Sequence, residues 1–267
     1  MTSRWRKTGC LLALLALWTW AVAQPQRPVQ AMWTLDAGHA SSLDSYLSPI
    51  TYGGVDLALG FEHLQDCGFD PRHWMRQLRV GLEYAYQENP VGNNEMHLGM
   101  ADLSWALMRR WDGVFTPRLQ LLLGGMTQLR GGVLYAPAGS NNVVSAKVRW
   151  SVGLQGQAVA RLHLGRVPLT LRYQASLPVA GVFFSPEYDE SYYEIYLGNH
   201  RNLAHAGWWG NRFDMENYLT ADFHLGGTIV RLGYRNRLER SWVSHLNTHL
   251  TTHALVIGIG GNFLTVK

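Results

Sequence analysis

Residues 190–213, "ESYYEIYLGNHRNLAHAGWWGNRF", bring histidines, acids and tyrosines together, and such residues can bind a metal ion or transfer protons. His200 and His205 would form a metal or acid–base site if they converge with nearby acids. Those acids are Asp189, Glu190, Glu194 and Asp214. Alternatively, the stretch forms a solvated aromatic rim that docks on lipid headgroups or on a partner. The rim residues are Tyr192, Tyr193, Tyr196, His200, His205, Trp208 and Trp209.

A second histidine set, His245, His249 and His253, recurs every fourth residue in "SHLNTHLTTHALVIG". On a helix this spacing would place the three rings on one face, where they could share a metal ion. The stretch runs on into alternating residues, however, and on a strand neighbouring histidines of the set lie ~13 Å apart. That distance is too long for one ion, so we expect histidines at the rim of a loop.

Two kinds of barrel enzyme make specific demands on a sequence. Phospholipase-like barrels carry a His–x–Ser–Asn–Gly-type run, which is absent, and Ser241, Ser244 and His245 have no third group to orient the base. An omptin-like protease needs an acidic pair that faces an Asp–His pair. The residues that could supply one are Asp44, Glu88, Glu95, Asp189 and His245. Because nothing in the spacing makes them face, no catalytic residue, metal or cofactor is predicted, and an interfacial lipid or peptide hydrolase stays an alternative.

The elements that must position these residues are strands, because apolar and polar residues alternate along most of the chain. In residues 169–177, "LTLRYQASL", the odd positions are apolar and the even positions are polar. Residues 78–87, 150–164 and 218–225 follow the same rule. Side chains of a strand point alternately to its two faces, so each segment predicts a strand with one apolar and one polar face.

Three features favour a transmembrane barrel over a soluble sandwich with the same alternation. The segments often exceed ten residues, whereas strands of globular sheets typically have ~5–6. Their polar faces mix arginine with carboxylates, and tyrosine and tryptophan gather near strand ends, as in interfacial aromatic girdles. In lipid only helices and closed barrels satisfy every backbone group, and no helical pattern follows residue 23. The prediction is an all-β fold, a single antiparallel transmembrane β-barrel.

The spacing of turn signals predicts ten strands. Their ranges are 32–39, 52–63, 75–87, 95–110, 115–134, 144–163, 167–177, 216–226, 228–240 and 247–264. Short connections are expected at 111–113, 164–166 and 226–227, and long ones at 40–50, 88–94, 136–142 and 178–215. Outer-membrane barrels keep short turns periplasmic and long loops outside, which predicts an extracellular position for residues 190–213. If that stretch crosses the membrane with a partner strand near 204–213, the count becomes twelve.

Charged residues recur on the predicted inner faces. They are Asp56, Glu62, Arg79, Glu83, Asp102, Arg118, Arg130, Arg149, Arg161, Arg172, Asp222, Arg231, Arg235 and Arg237. Arginine pairs bidentately with carboxylates, and side chains nearly fill a barrel of about ten strands, whereas open channels have ~16. We therefore expect an ion-paired, largely occluded lumen in a non-enzymatic barrel. The arginine excess leaves a narrow, anion-preferring pore as an alternative.

The first 23 residues have the features of a signal peptide. Arg4, Arg6 and Lys7 precede the apolar run "CLLALLALWTW" and the small residues "AVA", which predicts cleavage after Ala23. Without these three basic residues, Lys+Arg falls from 23 to 20 (23 − 3) against 19 acids, so residues 24–267 carry a net charge of +1. That balance does not indicate a nucleic-acid partner. The predicted domains are a signal peptide, 1–23, and a barrel, 24–267.

Three segments carry a resemblance to known proteins. They are "YLSPITYGGVDLALGFEHLQ" (46–65), "YEIYLGNHRN" (193–202) and "NRFDMENYLTADFHLGG" (211–227). The chain resembles a family of outer-membrane β-barrels of unknown function from Gram-negative bacteria. The resemblance implies a barrel in the outer membrane, in contact with its lipid, and supplies no catalytic residues. An unknown protein or a small molecule is the further partner that we expect.

Overall fold

The computed structural model describes residues 29–138, 142–188, 190–198 and 202–262. The expected signal peptide lies outside these residues. The strands are β1 (Val29–Asp44), β2 (Ser48–Asp66), β3 (Trp74–Glu88), β4 (Glu95–Asp112), β5 (Leu119–Tyr135), β6 (Val144–Leu164), β7 (Val167–Phe184), β8 (Ala204–Trp208), β9 (Arg212–Leu225), β10 (Thr228–Val243) and β11 (Leu246–Asn262). One short helix, α1 (Tyr192–Tyr196), lies between β7 and β8. Among the described residues, no helix combines the length and the apolar content needed to span a membrane.

Ten of these strands close into an antiparallel barrel. Each strand from β1 to β6 pairs with the next, β6 pairs with β7, β7 with β9, and β11 returns to β1. The predicted all-β fold and the ten-stranded barrel are therefore confirmed. The eleventh strand, β8, pairs only with residues 180–184 of β7. It extends the wall at one end, so the alternative of twelve crossing strands is wrong.

The pairing register fixes the tilt of the strands. Paired residues can be followed from Gly156 of β6 through β7, β9, β10, β11 and β1–β5 back to β6. The path returns at Val144, 12 residues from its start (156 − 144). A stagger of this size in a ten-stranded barrel corresponds to a strand tilt of roughly 40°. Residues joined by the register therefore lie at rising heights around the wall.

The outer face of the barrel is apolar. In β11, Leu255, Ile257 and Ile259 are each more than 60% exposed, whereas Ala254 and Val256 between them are buried. Exposed large apolar side chains recur on the outward positions of the other long strands. Water does not stabilise a band of this kind, whereas the hydrocarbon of a bilayer does, which is the pattern of transmembrane barrels.

The connections fall into two sets at opposite ends. The turn end carries residues 67–73, 113–118, 165–166 and 226–227. The loop end carries residues 45–47, 89–94, 136–143, 185–211 and 244–245. At the turn end, Gly165 and Gly226 have φ of 61° and 66°, the left-handed conformation that two-residue hairpin turns require. The expected tight turn at 111–113 is instead the six-residue connection 113–118, because β4 continues through Asp112 and β5 begins only at Leu119.

Two of the expected long connections are shorter than the sequence suggested. The one at 40–50 is wrong: β1 reaches Asp44, β2 starts at Ser48, and only residues 45–47 connect them. Ser41, Ser42 and Ser48 lie in strands, and Ser42 pairs with Tyr52 and is buried on the inner face. The connection at 178–215 is shortened because β7 continues to Phe184 and β8 pairs with it. Polar residues at the edges of both stretches therefore belong to strands and do not mark loops.

The wall has one short seam, between β7 and β9. These strands pair only from Leu169–Phe223 to Ser176–Glu216, and β7 then turns to β8. Pro178 lies at the change of partner, and a register irregularity occurs there in the pairing with β6. Proline has no N–H to donate to a ladder, so it suits a position where pairing is interrupted. The indole Nε1 of Trp209 donates to the Pro178 oxygen at 2.9 Å across this seam.

We expect Gly124→Ala to weaken the barrel. A Cβ at Gly124 would lie 1.9 Å from the backbone oxygen of Leu107 on β4, whereas at Gly125 the nearest atom would be 4.0 Å away. Forcing β4 and β5 apart should cost roughly 1–3 kcal/mol. Urea unfolding of the refolded protein, read by its heat-dependent gel mobility, measures the change, with Gly125→Ala as the matched control. Equal stability of the two variants would contradict the close strand contact.

Candidate functional site

The interior near the loop end is closed by an apolar plug. Its members are Ala40, Tyr52, Ala85, Met96, Leu98, Met100, Leu134, Ala136 and Leu250, with Leu47 packed against them. Three of these come from β4, where Met96, Leu98 and Met100 alternate with outward residues. This explains why residues 95–104 are apolar on both faces in the sequence. The residues of one face lie on the outer surface of the barrel, and those of the other face fill the lumen.

Ion pairs, referred to together as the network, occupy the lumen from its centre towards the turn end, in three groups that share no ion pair with one another among the described residues. The network contains eight arginines, Arg79, Arg130, Arg149, Arg172, Arg212, Arg231, Arg235 and Arg237, and eight carboxylates, Asp36, Glu62, Glu83, Asp102, Asp214, Glu216, Asp222 and Glu239. Every member has at least one partner of opposite charge within the set. Buried charges persist in proteins only when they are paired in this way, so the equal numbers keep the centre ionised.

Contacts of the network cross the barrel. Arg237 on β10 approaches Glu83 at 2.5 Å, Asp102 at 3.2 Å and Glu216 at 2.8 Å. Asp102 lies on β4, five strand positions from β10 in a ring of ten, so this pair joins opposite walls. Arg130 on β5 likewise approaches Glu239 on β10 at 2.8 Å. The lumen therefore has no free axis at this level.

Below the centre, a second charged group lies beside a cluster of amides. Arg231, whose side chain is 0% exposed, donates to both oxygens of Asp222 at 2.6 and 2.7 Å and to Glu62 at 3.1 Å. The amide cluster consists of Gln77, Gln155, Gln157 and Gln174. Gln77 also donates to Glu62 at 3.0 Å, which links the amides to the charges. Polar groups thus fill this level without a continuous water path.

The turn end holds an open space, the turn-end cavity, with a volume of about 220 Å³. It is lined by Gln30, Leu64, Met75, Arg110, Gln120, Gln157, Val159, Arg161, Thr170, Arg172, Asp222, His224 and Asn262. Its upper boundary includes Arg172 and Asp222 of the network. The lining mixes polar residues with Leu64, Met75 and Val159, and it carries three arginines against one acid.

Most of the sequence-predicted lumen residues lie on the inner face. Asp56, Glu62, Arg79, Glu83, Asp102, Arg130, Arg149, Arg172, Asp222, Arg231, Arg235 and Arg237 are buried. Asp56 differs from the others because it makes no ion pair with any described residue. Arg161 lines the turn-end cavity and is exposed there. Arg118 was wrongly assigned: it is exposed in the connection 113–118, because β5 begins at Leu119 and not at 115.

Three network carboxylates were missed by the sequence prediction, namely Asp36, Glu216 and Glu239. The alternation contained the necessary signal, since Glu216 has the parity of Asp222 and Glu239 has that of Arg237. Asp214 was expected in a loop beside His200 and His205, but it lies buried inside on β9 and pairs with Arg212 at 2.7 Å. Asp36, Glu216 and Glu239 already lay within predicted strands, whereas placing Asp214 would have required an earlier start of the strand predicted at 216.

The aromatic residues of the loop end that the structure describes are exposed. Tyr193, Tyr196, Trp208 and Trp209 are each more than half exposed. His205 donates from Nε2 to the backbone oxygen of Ser185 at 3.0 Å. His200, Asp189 and the side chain of Tyr192 lie outside what the structure describes. Within the described ranges, no group of three or more histidines, cysteines and acids could hold a metal ion.

The local fold explains the positions of the loop-end acids. Ser191 caps helix α1, accepting from the Glu194 N–H, while the Glu194 carboxylate accepts from the Ser191 N–H at 2.8 Å. This backbone hydrogen bond to its charged form lowers the pKa of Glu194. Glu190 accepts from the backbone N–H of Glu187 at 3.1 Å. Both carboxylates therefore accept hydrogen bonds from neighbouring backbone N–H groups.

The residues weighed for hydrolysis are dispersed. Asp44 is inside the barrel and pairs with Lys147 at 2.7 Å. Glu88 and Glu95 lie at the loop-end edge of the wall, where the Tyr86 hydroxyl donates to both, at 2.9 and 3.2 Å. His245 lies in the turn between β10 and β11 with φ of 69°. Among the described residues, these groups do not face one another across the top of the barrel.

The histidines of β11 are not all at a rim. His249 and His253 lie on strand β11, and the Nδ1 atom of His253 lies 2.6 Å from the Tyr234 hydroxyl. Asn236 Nδ2 lies 3.3 Å from the same atom, and Asn217 donates to Asn236 at 3.4 Å. The expectation that all three histidines lie at a loop rim is therefore wrong for His253. It belongs to a hydrogen-bonded polar row on the outer wall.

Comparison with solved structures identifies the architecture. The chain is similar to the outer-membrane protease OmpT from Escherichia coli, with 7% identity, a TM-score of 0.51, and coverage of 90% of this chain and 98% of that one. The translocator domain of the autotransporter NalP from Neisseria meningitidis has 9% identity and a TM-score of 0.37, with 97% and 98% covered. Likeness at such identity concerns the fold alone. No curated protein matches the chain.

Comparison with protein families covers nearly the whole sequence. Residues 10–267 match a family described as protein of unknown function, DUF3316. The match includes all ten strands of the barrel and the additional strand β8. The expected resemblance to an outer-membrane barrel family of unknown function is confirmed. The chain belongs to this DUF3316 family, and its fold is the closed ten-stranded barrel of outer-membrane proteins.

Proposed function

We propose that the chain, exported by its first 23 residues, is a non-conducting barrel of the Gram-negative outer membrane that binds a ligand or partner. The apolar outer band supports a position in lipid, and the likeness in fold to outer-membrane barrels agrees with it. In this arrangement the loop end faces outward and the turn end faces the periplasm. Binding, and not transport or hydrolysis, is the activity that the interior favours.

The observation that carries the proposal is the contact of Arg237 with Asp102 at 3.2 Å, from opposite walls of the barrel. A pore needs a continuous wet path, and a direct ion pair across the diameter removes it. The neighbouring pairs of Arg130 with Glu83 and Glu239 close the space on either side. An ion in transit would have to break buried pairs, each of which costs several kcal/mol to separate.

The apolar plug closes the same path a second time. A hydrated ion that passed the network would meet Leu98, Met100 and Leu134, which offer it no hydrogen bonds. Removing a charge from water without compensation costs many kcal/mol. Two successive barriers of different chemistry therefore support an occluded lumen.

The alternative of an anion-preferring pore rested on the excess of arginine on the inner faces. The eight network arginines are matched by eight carboxylates, so the centre carries no surplus charge with which to select anions. The third possibility, an interfacial hydrolase, is not favoured by the residues weighed for it, since those that the structure describes are dispersed. Both observations favour a binding role.

We expect the refolded wild-type protein to show no steady conductance steps in a planar lipid bilayer, because both lumen barriers are intact. The E. coli porins used routinely in such bilayers supply the positive control for insertion. Insertion is verified independently by protease protection of the reconstituted protein. Steady, anion-selective steps would contradict the occluded lumen and restore the pore alternative.

We expect Arg237→Ala to lower the free energy of unfolding by about 3–5 kcal/mol, because it leaves Glu83, Asp102 and Glu216 without their shared cation. Arg240→Ala is the matched control, since Arg240 lies on the same strand and is exposed. Its effect should stay within about 0.5 kcal/mol. Urea titration in detergent measures both. A similarly small change in the free energy of unfolding for both variants would show that the network does not stabilise the interior.

The orientation can be tested with single cysteines in a Cys67→Ser background. Asn202→Cys at the loop end should react with a membrane-impermeant maleimide in intact cells, because that end faces outward. Arg166→Cys, exposed in a two-residue connection at the turn end, should react only after the outer membrane is opened. The reverse pattern would place the loop end in the periplasm and contradict the proposed orientation.

A further inference from the structure

The turn-end cavity is built differently from the rest of the lumen. Above it every arginine of the network has its carboxylate, and the space is filled. The cavity itself is empty of side chains over about 220 Å³, which is room for roughly seven water molecules or one small organic molecule. It lies at the turn end, where the described connections have between two and seven residues.

The charges around the cavity do not balance. Arg110 pairs with Asp66 at 2.6 Å, and Arg172 pairs with Glu62 at 3.0 Å. Arg161, in contrast, makes no ion pair or side-chain hydrogen bond with any described residue, although it lines the space. Asp222 cannot neutralise it, because both its oxygens accept from Arg231. The cavity therefore has one positive charge in excess.

Three side chains of the lining carry a polar atom without a hydrogen-bond partner. These atoms are Nη1 of Arg172, Nε of Arg110 and Oε1 of Gln157, and all three are closed off from the cavity surface. A molecule in the cavity would therefore meet the exposed Arg161 and not these atoms.

We propose that the turn-end cavity binds a small oxyanion, a phosphate or a carboxylate. Arg161 holds the anionic oxygens, because guanidinium groups form the strongest hydrogen bonds to them. This inference names a ligand class for the binding role proposed above. It rests on that proposed function in one respect, namely that the lumen is closed above the cavity.

Binding can be measured by titration calorimetry on the refolded wild-type protein in detergent. Inorganic phosphate and glycolate are the two probes, and saturable binding of either one is expected. Arg161→Gln should weaken it by at least about tenfold, since it removes the unpaired charge. Arg161 is exposed at the rim, so this variant is expected to fold, and its heat-dependent gel mobility verifies that it does.

Arg118→Gln is the matched control. Arg118 is an exposed arginine whose backbone oxygen accepts from the Arg161 N–H at 3.1 Å, but it does not line the cavity. It should change the affinity by less than about twofold. Equal losses in the two variants would reveal only diffuse attraction to a basic surface and overturn the site. Absence of saturable binding of both probes by the wild type would overturn it as well.

Conductance separates this inference from the proposed function. A wild-type protein that conducts steadily but binds phosphate or glycolate through Arg161 contradicts the occluded lumen and supports the site. A protein that is silent in the bilayer and binds neither probe contradicts the site and leaves the occluded lumen standing.

Discussion

Arg237 and Asp102 approach each other to 3.2 Å from opposite walls, and the interior is organised around contacts of this kind. They are possible because a ten-stranded barrel is narrow enough for long side chains to meet at its axis. Each pair replaces part of the hydration that charged groups would otherwise require, which allows the centre to stay ionised. The apolar plug above and the amide cluster below then occupy levels where the network supplies no further partners.

The filling of the interior also bears on where binding can occur. Paired charges occupy the level of the network, and the apolar plug packs at the loop side of the lumen. The turn-end cavity is left as the internal space with exposed charge, and the aromatic residues of the loop end, such as Tyr196 and Trp208, form the external surface. The barrel thus presents two separate surfaces with different chemistry, one cationic and enclosed, the other aromatic and open.

Much of this fold could be predicted from alternation alone, because a period of two assigns every residue of a strand to one face. The method placed Arg79, Glu83 and Arg231 on the inner face without knowledge of their partners. It failed where composition was mistaken for a loop, as in the serine-rich end of β1. It also could not predict the plug. The prediction assumed a polar inner face, and a strand whose inner face is apolar lacks the alternation that would assign its residues to a face. Which arginine meets which carboxylate depends on the stagger of 12 residues, which no local pattern encodes.

The seam between β7 and β9 has a mechanical consequence. Neighbouring strands elsewhere share long ladders, whereas these two share only the residues from Leu169–Phe223 to Ser176–Glu216. Cooperative opening begins where the fewest hydrogen bonds must break together, so thermal fluctuations of the cylinder should concentrate along this line. Strands β7 and β9 should then separate sideways, beside Pro178 and Trp209, while the barrel keeps its length along its axis. These fluctuations of the barrel therefore have a preferred direction, which is set by the position where β7 changes its pairing partner.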